Sequence, residues 1–465
     1  MKAFALIFAA LLIAYFPAIH AYYLHTDDYF VSGYSGFSNA AVIKSQVVVG
    51  RPLTGLIFCA YALAHSMAAM NVIRALSILN LSLAGLLVYG YLRKHLPDAA
   101  ALAVSIAMLT TPPFMTAAGY MATATFALAA TVSAAAFRWG RLLPAIAVVL
   151  LIAALSLYQP GALFYIALVA VSVFFGDQRK LPRHAAIVAT ACAIYYAGWR
   201  ILMNIANASL PAKYDGRRFV GDVFERLKWF ARAPLVEAAN LWFVRPKLWI
   251  AIAVGAVILI ALWREWRSAL LIAAMLPGAY GISLASYMPS TEYRTYAALE
   301  GMIALLFLLA IWRLLSRWPR VAAGALVLVA ACGIVAAHVS IRRYFTVPDA
   351  REFRFVKDEI ARQAPAGFDQ IDIIVRPIPV AVAQRNELGE PSLRHGPNLR
   401  PLAVAAMREL GITRDVPVYQ SLPNDPNTWI VWSRELNWIT LDYSYGPPKP
   451  GKTIFIDANR IPQLR

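Results

Sequence analysis

Cysteine is nearly missing. The 465 residues hold only Cys59, Cys192 and Cys332, each inside an apolar stretch and none at a paired spacing. That excludes a disulfide framework and a cysteine-based metal cluster, and leaves three small core residues. Charge is also scarce, at 15% of residues, and acidic charge is scarcest: 25 Asp and Glu against 43 Lys and Arg. His20, His25, His65, His95, His184, His338 and His395 are scattered with no ligand spacing, so no metal is read, although dependence on a divalent ion is left open. There is no Walker loop, no GxGxxG in a strand-turn-helix setting and no GxSxG elbow. These gaps remove P-loop hydrolysis, Rossmann-type cofactor chemistry and the hydrolase elbow from consideration. No resident cofactor is read.

What the chain has in quantity is apolar sequence, 60% of residues, gathered in long runs. That composition belongs to a polytopic membrane protein. The formal charge is +18. A nucleic-acid binder would concentrate such charge in a soluble basic domain. Here much of it sits in short loops between apolar runs, which is how membrane helices are oriented. The remainder lies in one long loop and the tail, where anionic lipid or a phosphorylated ligand is the natural partner.

Ala3 to His20, after Lys2, has two readings, a signal peptide cleaved at the poor site Ala18-Ile-His-Ala21 or a retained first helix; the second is preferred because many more spans follow and because the Asp pair would otherwise lie close to a new N-terminus. Lys2 then lies in the cytoplasm and Asp27-Asp28 outside. Further spans are expected at Val72–Leu92, Ala99–Met115, Ala117–Phe137, Leu142–Tyr158, Gly161–Phe175, Ala185–Met203, Leu248–Trp263, Ser268–Tyr287, Tyr296–Trp312 and Val321–Ile341, about eleven in all. Leu53–Met70 is apolar, but if it crossed, the arginine-rich loops from Arg93-Lys94 to Arg313/Arg317/Arg320 would all fall outside. It is therefore placed on the outer surface or re-entering it. The spans read as almost free of charge, and the polar groups collect on the outer face.

After Ile341 the composition shifts. Ile371–Val375 and Thr453–Ile456 look like buried strands, Arg351–Arg362 and Pro401–Leu410 like helices. The fold expected is an all-α polytopic membrane module, residues 1–345, with outer-face loops 21–71 and 204–247 and juxtamembrane helices, followed by a small α/β soluble domain, residues 346–465, on the outer side.

The chemistry is sought on that outer face. Asp27 and Asp28 stand directly after the first span. Neighbouring carboxylates titrate together, and one with a raised pKa suits a general base taking a proton from a hydroxyl. The plainer alternative is that one of them caps a helix starting near Tyr29. Glu292-Tyr293-Arg294 ends another outward loop; Arg294 either holds a phosphate bidentately or pairs with Glu292. Arg51, between Gly50 and Pro52, has the same two readings of phosphate binding and surface anchoring. Tyr158 and Gln159 can hydrogen-bond sugar hydroxyls or simply end a helix at the interface. From Val220 the long loop looks like a basic amphipathic helix for anionic headgroups.

Taken in order, Thr26-Asp27-Asp28-Tyr29, Gly50-Arg51-Pro52-Leu53, Ser156-Leu-Tyr158-Gln159 and Glu292-Tyr293-Arg294 resemble the motifs of membrane glycosyltransferases of the GT-C class. Within that class the chain is most similar to the GtrII-like bacterial glucosyltransferases. The resemblance covers the membrane part, about the first three quarters of the chain, and leaves the C-terminal domain unmatched. It implies a multi-pass protein of the bacterial inner membrane with its site facing the periplasm. The donor implied is a sugar, glucose in the GtrII-like group, on undecaprenyl phosphate, and the acceptor a glycan such as O-antigen. Asp27 or Asp28 would be the base of an inverting transfer, with Arg294 or Arg51 steadying the leaving phosphate. A lipid-linked glycan flippase and a glycan ligase or polymerase are the rival readings.

Overall fold

The computed structural model describes the chain except residues 24, 26–27, 29–31, 33–37, 141, 208–221, 245–246, 287–291, 375–398, 415, 423–424, 430–432, 437–438, 443–451 and 458–465. The expected apolar stretches are mainly helical, but Ala99–Met115 is interrupted at Thr110-Thr111 and Ala117–Phe137 at Tyr120–Thr123. Among the described residues, five helices are long and apolar enough to cross a membrane, or six when the bent pair Asp98–Leu109 and Pro112–Gly119 counts as one. The other apolar helices, among them Pro144–Leu157, Leu248–Ala261 and Trp266–Ala279, are shorter.

The bend of 66° in that pair has a plain cause. Pro112 and Pro113 open the second half, and neither can donate a backbone hydrogen bond back to the first. Every residue of Pro112–Gly119 is buried. Nearby, Gly85 lets three helices meet: a Cβ there would stand 2.7 Å from Leu109 and 3.1 Å from Ile7. Lys2–His20 therefore packs its Ile7, Leu11 and Tyr15 stripe inward while Leu6, Ile13 and Phe16 face outward.

The stretch expected to lie on the outer surface forms helices Asn39–Val48 and Pro52–Tyr61, and the following long helix starts at Met67, earlier than expected, where the Ser66 side chain accepts from Ala69 N–H at 3.2 Å. In the long loop, Val223–Arg232 buries Phe230 but exposes Val223, Phe224 and Leu227 alongside its basic residues, the pattern of a helix in the membrane interface.

Helix Pro319–Ile341 does not stop at the surface. It passes through a π turn at Arg342–Thr346 into the polar helix Val347–Gln363. The C-terminal region is built on that helix. Its four-stranded sheet runs in the order Asp425–Trp429, Val418–Leu422, Gln370–Ile374, Thr453–Asp457. Gln370–Ile374 is parallel to both neighbours, and the Asp425–Trp429 edge is antiparallel. Phe353, Val356, Ile360, Ile371, Ile373, Leu402 and Ile456 form one core with Val42 and Phe58 of the two short helices and Met67 and Met70 at the start of the long one. The C-terminal region thus packs on the helices that follow the connection carrying the aspartates.

Candidate functional site

Asp28 is fully buried, and both its oxygens are committed. Oδ2 accepts from Arg74 Nη2 at 3.0 Å and from His25 N–H at 3.2 Å, and Oδ1 from Ala122 N–H at 2.9 Å. Arg74 is itself wholly buried. It also donates to the Tyr23 carbonyl at 2.8 Å and to Asn71 at 2.9 Å, and lies over the Tyr23 ring at 3.9 Å. Burial pushes the Tyr23 phenol above its ordinary range, against the pull of Arg74. The phenol donates to the Gly119 carbonyl at 2.6 Å. A buried ion pair with this many directed partners is a clamp: it fixes the backbone of the first outer loop against the bent segment. Asp27, the other half of the pair, lies outside the described residues.

His25 extends the clamp. Its ring stacks on Tyr120 at 4.0 Å, and its Nδ1 is 2.7 Å from Asp349 Oδ2. Asp349 stands in the first turn of the helix that enters the C-terminal domain. The loop, the apolar helices and the C-terminal region are therefore tied at one buried point.

Arg51, Tyr158 and Gln159 come together although more than a hundred residues separate them in the chain. Arg51 Nε donates to Gln159 Oε1 at 3.1 Å, and the guanidinium lies 4.2 Å from the Tyr158 ring centroid. Gln159 Nε2 reaches the Gly50 carbonyl at 2.8 Å and the Tyr195 hydroxyl at 2.9 Å. Gly50 has φ +81°, and a Cβ there would meet Tyr195 at 2.5 Å and Gln159 at 2.7 Å. The position needs glycine twice over. Gly50, Gln159 and Tyr195 border a cavity of about 150 Å³, with Trp199 and Ser286. Arg226, from the amphipathic helix, donates to the Ser286 carbonyl at 3.0 Å.

Arg294 Nε donates to Glu292 at 2.6 Å, which is the internal pairing named as its plainer reading. Tyr293 is buried and donates to the Val244 carbonyl at 2.9 Å. The turn Tyr293–Thr295 packs against both Pro112–Gly119 and the short helix Gln159–Ala162, which joins the two clusters.

The spans are not as charge-free as their sequence suggested. Arg74 lies in the helix Met67–Leu92 and Glu300 in Ala297–Leu314, both wholly buried. Each sits in the first third of its helix. Beside Glu300, Tyr296 donates to Glu237 at 2.6 Å. Burial raises the Glu237 carboxyl above its ordinary range, and the bond from Tyr296 holds it back. Arg74, His25, Asp349, Glu237, Tyr296 and Glu300 were not singled out from the sequence. An ionisable residue inside an apolar run was the available signal for Arg74 and Glu300; Asp349 offered none.

A second cavity, about 340 Å³ and almost wholly apolar, runs between helices Leu248–Ala261 and Trp266–Ala279, from Leu235 and Ala239 past Val254 and Leu276 to Leu306. Among the described residues no group of His, Cys, Asp and Glu is arranged to hold a metal ion.

No known family's sequence profile matches the chain, and no curated protein matches it. Among solved structures the chain is similar to ArnT from Cupriavidus metallidurans in the apo state, with 16% identity over 89% of each chain and a TM-score of 0.42. It is similar also to the same protein bound to undecaprenyl phosphate, with 16% identity over 89% of each chain and a TM-score of 0.44.

Proposed function

We propose that this chain is an inverting membrane glycosyltransferase that moves a sugar, glucose by its GtrII-like motifs, from a polyprenyl phosphate to a hydroxyl of a glycan acceptor at the outer membrane face. The observation that carries the reading is the clamp around Asp28. The Asp28 carboxylate is wholly buried and both its oxygens are engaged, by Arg74 and by two backbone N–H groups. Its role is to fix the loop, and the base is its neighbour Asp27.

Asp27 takes the proton of the acceptor hydroxyl as that oxygen attacks the anomeric carbon. The bond from that carbon to the phosphate oxygen breaks, and the polyprenyl phosphate leaves with the electron pair. An already good leaving group needs charge stabilisation more than a proton. Arg51 supplies it, oriented by Gln159 and Tyr158, and Gln159 also lines the small cavity. Arg294, leashed by Glu292 on the adjoining turn, is the second cation. The apolar cavity beside Glu237 suits an isoprenoid chain by its length and lining.

The test is sugar transfer in membranes supplied with a polyprenyl-phosphate sugar and a glycan acceptor. Asp27→Asn is expected to abolish transfer while the protein accumulates and melts normally. Full activity in Asp27→Asn rejects the reading. Movement of the lipid-linked glycan across the bilayer with no glycosidic bond formed would make the chain a flippase instead.

A further inference from the structure

At the opposite end of the bundle from the aspartates lies a concavity that the proposed transfer does not use. Helix Ala297–Leu314 connects the two ends; its 18 residues span about 27 Å. The cavity measures about 600 Å³. It opens where three helix ends meet: Phe174 at the end of one, Trp266 at the start of another, Arg313 in the last turn of a third.

Its wall has a definite chemistry. Arg264, Arg267 and Arg313 line it, with Glu265 as the opposing charge. Glu265 is paired with Arg313, so one acid neutralises one of three cations and a surplus of two remains. Trp266 and Trp312 stand on the rim, and Gln178 donates to the buried Ser268 hydroxyl at 2.8 Å on the floor. Trp263, Trp266 and Trp318 nearby are exposed, as befits rings at the headgroup level. Arginines that only orient a protein need no hollow. Here they surround one at the level where tryptophans mark the interface, and planar guanidinium groups match phosphate oxygens.

We infer that this hollow is a binding site for the phosphodiester headgroup of an anionic phospholipid of the cytoplasmic leaflet. The acyl chains would descend beside Trp266 and Trp312, and Arg264 and Arg267 would hold the phosphate. The same phosphate chemistry could come from a free anion, so the test separates the two sources.

The full chain in detergent micelles is titrated with phosphatidylglycerol, phosphatidylethanolamine or inorganic phosphate, with bound lipid counted by native mass spectrometry. Phosphatidylglycerol is expected to bind at least about tenfold more tightly than phosphatidylethanolamine, and the double variant Arg264→Gln, Arg267→Gln to lose about tenfold or more. Both side chains are exposed, so the variant is expected to fold; its lipid-free melting temperature checks this. Arg93→Gln with Arg138→Gln, on the same face but outside the hollow, is expected to bind as the parent does. Equal binding by parent and Arg264/Arg267 variant overturns the site, as does equal loss in the Arg93/Arg138 control, which would mean diffuse charge. Displacement of the lipid by millimolar inorganic phosphate overturns it too, in favour of a small-anion site.

Discussion

Replacing Asp28 by Asn tests whether it is a clamp or the reacting group. The change leaves the buried Arg74 guanidinium opposite a neutral amide, whose NH2 also turns toward the N–H of Ala122 or His25. Removing one partner of a buried ion pair costs about 3–5 kcal/mol. Arg74 keeps the Tyr23 carbonyl, Asn71 and the Tyr23 ring, which argues for the lower end, about 3 kcal/mol. Arg74→Met should cost about the same, since it strands a carboxylate with only two backbone donors. The double variant removes both charges, so its cost should fall about 2–3 kcal/mol short of the sum. Denaturant titration in mixed micelles measures all four corners of that cycle. Additivity within about 0.5 kcal/mol would refute the clamp. So would an Asp28→Asn protein of parental stability that transfers no sugar, because that result makes Asp28 the base.

Further outcomes follow from the same geometry. Asp27→Asn should retain parental stability and lose transfer by about 10²–10⁴-fold, read from initial rates with saturating donor. Gly50→Ala forces a side chain into a left-handed backbone against Tyr195 and Gln159; a loss of at least about 1–2 kcal/mol and a raised KM for donor are expected. Gln159→Leu removes the partner of Arg51 Nε and of the Gly50 carbonyl; the KM for the lipid donor should rise more than kcat falls, and an unchanged KM would detach Arg51 from the phosphate. Glu237 has its carboxyl raised by burial. A raised acid favours the protonated folded state, so its contribution is fully present below the ordinary glutamate value and is lost as pH rises through the folded value. Glu237→Gln should therefore flatten stability against pH in that window, as followed by melting temperature.

Much of the architecture was legible because its causes are local. A run of apolar residues must become a helix in lipid, where every backbone group needs an internal partner, and the expected runs are mainly helical. The strand positions at 371–375 and 453–456 coincide within a residue with those observed, since apolar runs bounded by turn residues leave few alternatives. The site was legible only in parts. Arg51, Tyr158 and Gln159 could be named from their interfacial position, but nothing local says that they touch. The Arg294–Glu292 pair was readable at a spacing of two. Arg74 and Glu300 were hidden inside runs read as nearly uncharged, and Asp349 meets His25 across 324 positions. A partner that distant is chosen by packing, which leaves no periodicity in the chain.

The break at Pro112 shows why these residues converge where they do. Ending one helix and starting another at membrane depth leaves carbonyls without partners, and each must be satisfied by protein. Tyr15 reaches the Leu109 carbonyl from the first helix. Ser77 donates to Ala117 at 2.6 Å, Thr123 to Thr116 at 2.7 Å and Tyr23 to Gly119 at 2.6 Å. Trp242 of the long loop donates to the Thr110 hydroxyl at 3.0 Å. The same irregular backbone that requires these donors offers the N–H of Ala122 to Asp28. Tyr23 and Ala122 thus hold the aspartate loop from two sides at the far end, Gly119 to Ala122, of the short segment that the Pro112 defect sets off. Straightening that defect, by Pro112→Ala with Pro113→Ala, removes the reason for the loop to lie there. It should abolish transfer even though no group proposed to touch the sugar has changed, and retention of the parental rate would show that the loop is positioned by something else.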